Sequence, residues 1–211
     1  MLYSKMNPKN TALLVIDIIN SCADKKCEIP KYGITFSKIR KIVPKLEKFI
    51  DNYRKIVSGL VIFTNTVPWQ KKYLADNINK LYTDSRVRYY SKDNSGFSEK
   101  FYTILPKKGD VIITKNTIDA FTNKKFESVL KKNKIRYMVI TGIFGDGCVL
   151  ATICGGFSNG YNFIILKDLI ETTDVKIRQK LLNFLKEYTW PIMYGQTVES
   201  KDFLISWRKK H

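Results

Sequence analysis

Histidine is nearly missing from this chain of 211 residues: the one present, His211, ends it. A Ser-His-Asp or Cys-His catalytic system within the chain is therefore not expected, since each needs an imidazole beside its nucleophile. Cysteine is scarce too, with four residues at positions 22, 27, 148 and 154. Cys22 and Cys27 are followed by no second ligand pair, so a zinc knuckle is disfavoured and ordinary surface or core thiols are expected. Cys154 reads as a core residue of the helix that follows Cys148. The first ten residues, MLYSKMNPKN, contain no apolar leader segment, and reduced thiols in the cytoplasm are the expectation. Long apolar runs are lacking as well. The cleanest are about five residues, too short to span a bilayer.

Acid is in short supply. Against 37 Lys and Arg stand 19 Asp and Glu, a formal net charge of +18. Such an excess favours anionic partners: nucleic acid, acidic membranes or an anionic substrate. The lysine pairs (71–72, 107–108, 124–125 and 131–132) are scattered, however, and no nucleic-acid motif accompanies them. A solvated basic surface is favoured over a nucleic-acid site.

What is present is a regular alternation. Apolar runs at 12–16 (ALLVI), 60–64 (LVIFT), 111–114 (VIIT), 137–140 (YMVI) and 161–166 (YNFIIL) read as strands, and 191–194 as a short sixth. Between them lie helical patterns. One covers 39–56, with Pro44 expected to start or kink it. Another is marked by Phe126, Val129 and Leu130. A third carries the row Ile177, Leu181, Leu182 and Leu185 behind a cap at Thr173-Asp174. The terminal SWRKKH is expected to fray. The alternation predicts an α/β fold of three layers, α-β-α, around a six-stranded, mostly parallel, Rossmann-like sheet. No repeat or linker interrupts it, so 1–211 reads as a single domain with its core at about 11–204.

The segment 137–161, YMVITGIFGDGCVLATICGGFSNGY, concentrates the chemistry. A strand breaks at Gly142, turns through Gly145 and Gly147, and opens a helix at Cys148. Backbone N–H groups at a helix start favour thiolate over thiol and can hold an oxyanion. A buried structural cysteine is the alternative for this segment alone. In open α/β sheets ligands bind beyond the carboxyl ends of the strands. Asp17, Asn65, Thr66, Lys115, Cys148 and Asp168 all fall at such ends. Among them Cys148 can serve as nucleophile, Asp17 as acid and base, and Lys115 as electrostatic support.

The blocks TALLVIDIIN, LPKKGDVIITKNTIDAF and VITGIFGDGCVLAT, in this order, resemble the isochorismatase-like cysteine hydrolases. That group includes nicotinamidases, N-carbamoylsarcosine amidases and isochorismatases. The resemblance covers nearly the whole chain and implies an Asp-Lys-Cys triad at Asp17, Lys115 and Cys148, with no cofactor. It implies a cis peptide at Ile143–Phe144, an oxyanion hole from the Phe144 and Cys148 N–H groups, and an acyl pocket lined by Phe121. Trp69 and Ile19 are further pocket expectations. Trp69, Tyr89, Tyr90 and Phe97 fall in or beside the irregular stretch from about 67 to 110, where they can roof the pocket or pack as core. A small-molecule substrate, anionic if Lys71 and Lys72 face it, and a homo-oligomer are implied.

The departures are equally specific. TNTVPWQKKY lacks the two histidines that hold a metal in nicotinamidases, so no such metal site is expected. Ile19, Phe144 and Gly145 replace the usual Gln, a small residue and Thr. The expected reaction is hydrolysis of a C–N bond in a small amide or ureido compound. Vinyl-ether hydrolysis of the isochorismatase type is the alternative. A non-catalytic protein that binds nucleic acid or an acidic partner is the reading from another class.

Overall fold

The computed structural model describes residues 2–67 and 97–210. Strand β1 (Thr11–Ile16) is followed by the short helix α1 (Asn20–Ala23), helix α2 (Ser37–Ile56) and strand β2 (Leu60–Thr66). Then come β3 (Val111–Lys115), α3 (Lys124–Lys132), β4 (Tyr137–Ile143), a π-helical turn (Gly145–Val149) and α4 (Leu150–Ser158). The chain closes with β5 (Asn162–Glu171), α5 (Lys176–Phe184), a π-helical stretch (Leu185–Tyr194), β6 (Gly195–Val198) and α6 (Ser200–Lys210).

The six strands form one sheet in the order β3-β2-β1-β4-β5-β6, every neighbouring pair parallel. Successive residues of β1 point to opposite faces, and both faces are covered. Leu13 and Val15 join the core formed with α2 and α6, through Phe49, Tyr53, Phe203 and Trp207. Ala12, Leu14 and Ile16 join the opposite core, with Phe126, Ile153, Leu182 and Trp190. The expected three-layer parallel fold is what the chain adopts. Among the described residues no helix is long and apolar enough to cross a membrane.

Three local expectations are corrected. Residues 191–194 are not a strand: the chain continues from α5 in π-helical form, burying Leu185 and Trp190, and β6 begins only at Gly195. Glycine is needed there, because a Cβ would stand 2.4 Å from the Phe163 carbonyl oxygen on β5. The terminal segment does not fray. In α6, Phe203 and Trp207, four residues apart on one face, bury against α2, and Lys210 Nζ donates to the Met6 carbonyl. Helix α2 starts at Ser37, so Pro44 lies inside it and does not begin it.

Asp174 is not the cap of α5, whose N-cap position is Val175. Its carboxylate instead caps α2, accepting from Ser37 N (2.8 Å), Lys38 N (3.1 Å) and Thr35 Oγ1 (2.6 Å). Partial burial works to raise its pKa, but these donors hold it down to about 2. A carboxyl depressed on folding stabilises above its unfolded pKa of about 3.9 and loses that contribution as pH falls through the folded value. Asp174→Ala is expected to lower stability by about 1 kcal/mol at neutral pH. In urea melts at several pH values, the gap from the parent should close between pH ~4 and pH ~2.

Candidate active site

Asp17 follows β1 directly, with the positive φ of 51° that Asp tolerates better than most residues. Lys115 ends β3, two strands away, and its stem reaches past β2. Its Nζ donates to Asp17 Oδ2 at 2.6 Å and to the Thr117 carbonyl at 3.3 Å. Strand β2, lying between, contributes Thr64. The Thr64 hydroxyl donates to Asp17 Oδ1 at 2.6 Å, and the Thr64 carbonyl accepts from Asp17 N at 3.2 Å. From the other side of β1, the turn after β4 brings in Cys148. Its sulfur lies within hydrogen-bonding reach of both Asp17 and Lys115. Three side chains distant in sequence therefore meet. Cys148 keeps 7% exposure against 1% for Asp17 and 0% for Lys115, so the sulfur-bearing residue is the one nearest the outside.

Burial pushes the Cys148 thiol up to about 12; Lys115 pulls it down, and the Asp17 charge and hydrogen bond push it up again. This corrects the expectation of a resting thiolate. The lysine and the helix-start amides do favour the anion, but loss of water and the adjacent carboxylate outweigh them. For Lys115, burial alone would lower the pKa. The Asp17 and Cys148 charges reverse this and hold it above its ordinary value. Cys22, also buried, has its thiol raised by burial first and then by Asp17 and Cys148, which places a second thiol beside the group.

The loop carrying Cys148 is held on every side. Gly142 (φ 117°) passes so close to β1 that a Cβ would stand 2.2 Å from the Ile16 carbonyl oxygen. The Ile143–Phe144 peptide is cis. Asp146 forms a fork with Arg178 of α5, Nε to Oδ2 at 2.6 Å and Nη2 to Oδ1 at 2.7 Å, and accepts from Thr172 Oγ1 at 2.5 Å. The same guanidinium covers the Phe144 ring at 4.8 Å, while Phe36 stacks against that ring at 6.1 Å.

The isochorismatase-domain family model matches residues 11–196. The chain belongs to the isochorismatase family. This is a family of hydrolases, and solved structures share the fold. A cysteine hydrolase from Pseudomonas syringae pv. phaseolicola 1448A superposes with a TM-score of 0.79 at 17% identity, over 98% of this chain and 96% of that one. An isochorismatase family protein from Burkholderia thailandensis gives 0.74 at 22% identity, over 96% and 97%. The N-carbamoylsarcosine amidase from Thermoplasma acidophilum gives 0.62 at 19% identity, over 90% and 96%.

Within this family member, packing accounts for two of the unusual positions. Gly145 lies tight against two buried side chains: a Cβ would lie 2.4 Å from Leu182 Cδ1 and 2.9 Å from Ile170 Cγ2, so any larger residue has to displace them. Phe144 fills the space between Phe36 and Arg178. Ile19 is fully buried in the core beside α2, and its backbone bridges Phe101, so it gives the pocket expectation no support. Phe121 packs against Phe126 (4.9 Å) and Tyr161 (5.4 Å), and a Cβ on Gly156 would stand 2.8 Å from its Cε2, after meeting Phe163 Cζ at 2.5 Å. That ring is committed to α3 and α4, two turns along from Cys148. Asp168 lies within β5, not after it, and is taken up by Ser200 and Lys45. Asn65 accepts from Thr114 Oγ1, and Thr66 donates to the Lys115 carbonyl. Phe97 is half-buried against the α2-side core. Trp69, Lys71, Lys72, Tyr89 and Tyr90 lie outside the described residues.

Thr64, Asp146, Thr172 and Arg178 were not singled out from the sequence. Asp146 stood between two glycines of the marked loop, the one available signal. A titration checks the electrostatics. Asp17→Asn removes the carboxylate that raises the thiol and frees Lys115 to pair with sulfur. The Cys148 pKa is expected to fall, and alkylation by iodoacetamide near pH 7 to become faster than in the parent.

Proposed function

We propose that the chain hydrolyses a C–N bond in a small amide or ureido compound, with Cys148 as nucleophile. The observation that carries this reading is the sulfur's reach to both Asp17 and Lys115. The N-carbamoylsarcosine amidase fold supports the bond type. The excess of basic residues suits an anionic substrate.

In the first half-reaction the sulfur adds to the substrate carbonyl carbon while its proton passes to Asp17. Attack and proton transfer are coupled, which suits a thiol whose resting form is protonated. The carbonyl electrons move to oxygen, where the Phe144 and Cys148 N–H groups receive the charge. Collapse breaks the C–N bond, and Asp17 returns the proton to the departing nitrogen. Water then adds to the thioester, giving its proton to Asp17. The carboxylic or carbamic acid leaves, and the sulfur recovers the proton. Lys115 stays paired with Asp17 and offsets negative charge on sulfur.

Cys148→Ala should cut turnover of amide or ureide substrates by at least about 10⁴-fold. Its circular dichroism should be unchanged, and the parent should show an acyl adduct on Cys148 by intact-mass spectrometry with a slow substrate. A Cys148→Ala protein that still cleaves isochorismate would overturn thiol catalysis in favour of acid catalysis by Asp17 alone. Arg178 acts through the loop as a positioning residue. Arg178→Lys keeps the charge but loses the fork. It is expected to lower kcat about tenfold, equivalent to ~1.4 kcal/mol, while KM stays near the parent value.

A further inference from the structure

Strand β2 runs between the strands that carry the buried ion pair, and its Thr64 is tied to Asp17 at two points. Thr64 is fully buried. Its hydroxyl oxygen accepts from the Asp17 N–H at 3.2 Å and donates to Asp17 Oδ1 at 2.6 Å. The second distance is that of a charge-assisted O–H···O⁻ bond. A threonine hydroxyl has one proton to give. With the Asp17 amide donating into the hydroxyl oxygen, that proton is committed to Oδ1. A closed ring results: from the Asp17 amide through its own side chain to Oδ1, across to the hydroxyl, and back to the amide.

We infer that Thr64 is a positioning residue for proton transfer at Cys148: it locks the Asp17 carboxylate in one orientation and draws off part of its charge. The effect on turnover rests on the proposed reaction. The effect on the thiol does not.

The torsion that turns a carboxylate plane is soft, so one donor does not fix it. Lys115 holds Oδ2 at 2.6 Å and Thr64 holds Oδ1, and two donors on different oxygens set the plane. Branching at Cβ stiffens the threonine itself. Asp17 also has its N–H inside the ring, at a φ of 51°, so its backbone and side chain are fixed together. The charge follows the same bonds. Without the hydroxyl, the side-chain donors left to Asp17 among the described residues are the Lys115 ammonium and the Cys148 thiol. More of the carboxylate's charge then bears on the sulfur, and the thiol holds its proton harder. The other ionisable groups at the sulfur, Lys115 on β3 and Cys22 on α1, stay in place.

Thr64→Val keeps the shape and removes the hydroxyl. Alkylation of Cys148 by iodoacetamide between pH 7 and 9, followed by peptide mass spectrometry, should run about tenfold slower than in the parent. Thr64→Ser should recover most of the parent rate. With an amide or ureide substrate, kcat should fall about tenfold in Thr64→Val at a KM near the parent value, and recover in Thr64→Ser. A merely structural role predicts the opposite for the thiol: a loosened core uncovers the sulfur and alkylation speeds up. Unchanged or faster alkylation in Thr64→Val overturns the inference, as does a Thr64→Ser protein that behaves like Thr64→Val. Activity surviving in Cys148→Ala would instead sink the thiol reaction, and the alkylation rates would still decide the role of Thr64. The parent supplies a check that needs no folded variant. Its Thr64 hydroxyl proton should give a slowly exchanging magnetic resonance signal with an Overhauser contact to the Asp17 amide, and a freely exchanging hydroxyl overturns the lock.

Discussion

The Asp17–Lys115 ion pair is the constraint around which this fold is arranged. Its side chains are 2% and 0% exposed. Moving a single ion of this size into a medium of low dielectric costs on the order of 20 kcal/mol in the idealised limit, and several after relaxation. The pair persists because each member has further partners: Thr64 for the carboxylate and the Thr117 carbonyl for the ammonium. Such a pair is a poor device for stability, since apolar replacements of similar volume are often neutral or better. Its position is informative for another reason. The strand order sets β2 between β1 and β3, so only a long side chain at the end of β3 can reach the end of β1, and β2 must supply a small hydroxyl in the gap. Lysine and Thr64 meet those two requirements.

The sulfur completes the arrangement from the opposite side of β1. A carboxylate alone beside a buried thiol would only suppress ionisation. An ammonium alone would generate a thiolate but leave no group to carry protons. Together with burial they leave a thiol raised well above its ordinary value, which under the proposed reaction gives up its proton only as negative charge passes on to a substrate oxygen. In the proposed reaction no imidazole takes part: Asp17, paired with Lys115 and next to the sulfur, would relay the proton while the ammonium holds the charge.

Legibility in the sequence followed the range of the interactions. The ends of strands were readable from short apolar runs, and the rule that sites lie beyond them pointed to Asp17, Lys115 and Cys148. The same rule also pointed to Asp168, which hydrogen-bonds to the start of α6 instead. Strand β5 runs on to Glu171 through a register shift against β4 between Ile140 and Gly142, and an apolar count cannot show that shift. Thr64 looked like one more β-branched strand residue. Arg178 looked like the polar side of an amphipathic helix. Its bond to Asp146 depends on how α5 lies over the Cys148 turn, where Leu182 and Ile170 meet Gly145. Residues 191–194 have strand-like composition, but Trp190 before them needs a helical backbone to bury its ring in the core.

Helix α5 thus carries two separate demands. Its inner face supplies Leu182, which presses on Gly145, and Arg178, which grips Asp146 and covers Phe144. Its outer face supplies Ile177, Leu181 and Phe184, which stay between 45% and 70% exposed, with Phe184 stacked on Tyr188 at 5.4 Å. A helix loaded on one side only is held by half of its available burial, and local opening follows weak burial. Ile177 and Arg178 are consecutive residues, so the exposed apolar face and the clamp on the Cys148 loop are two sides of one helix.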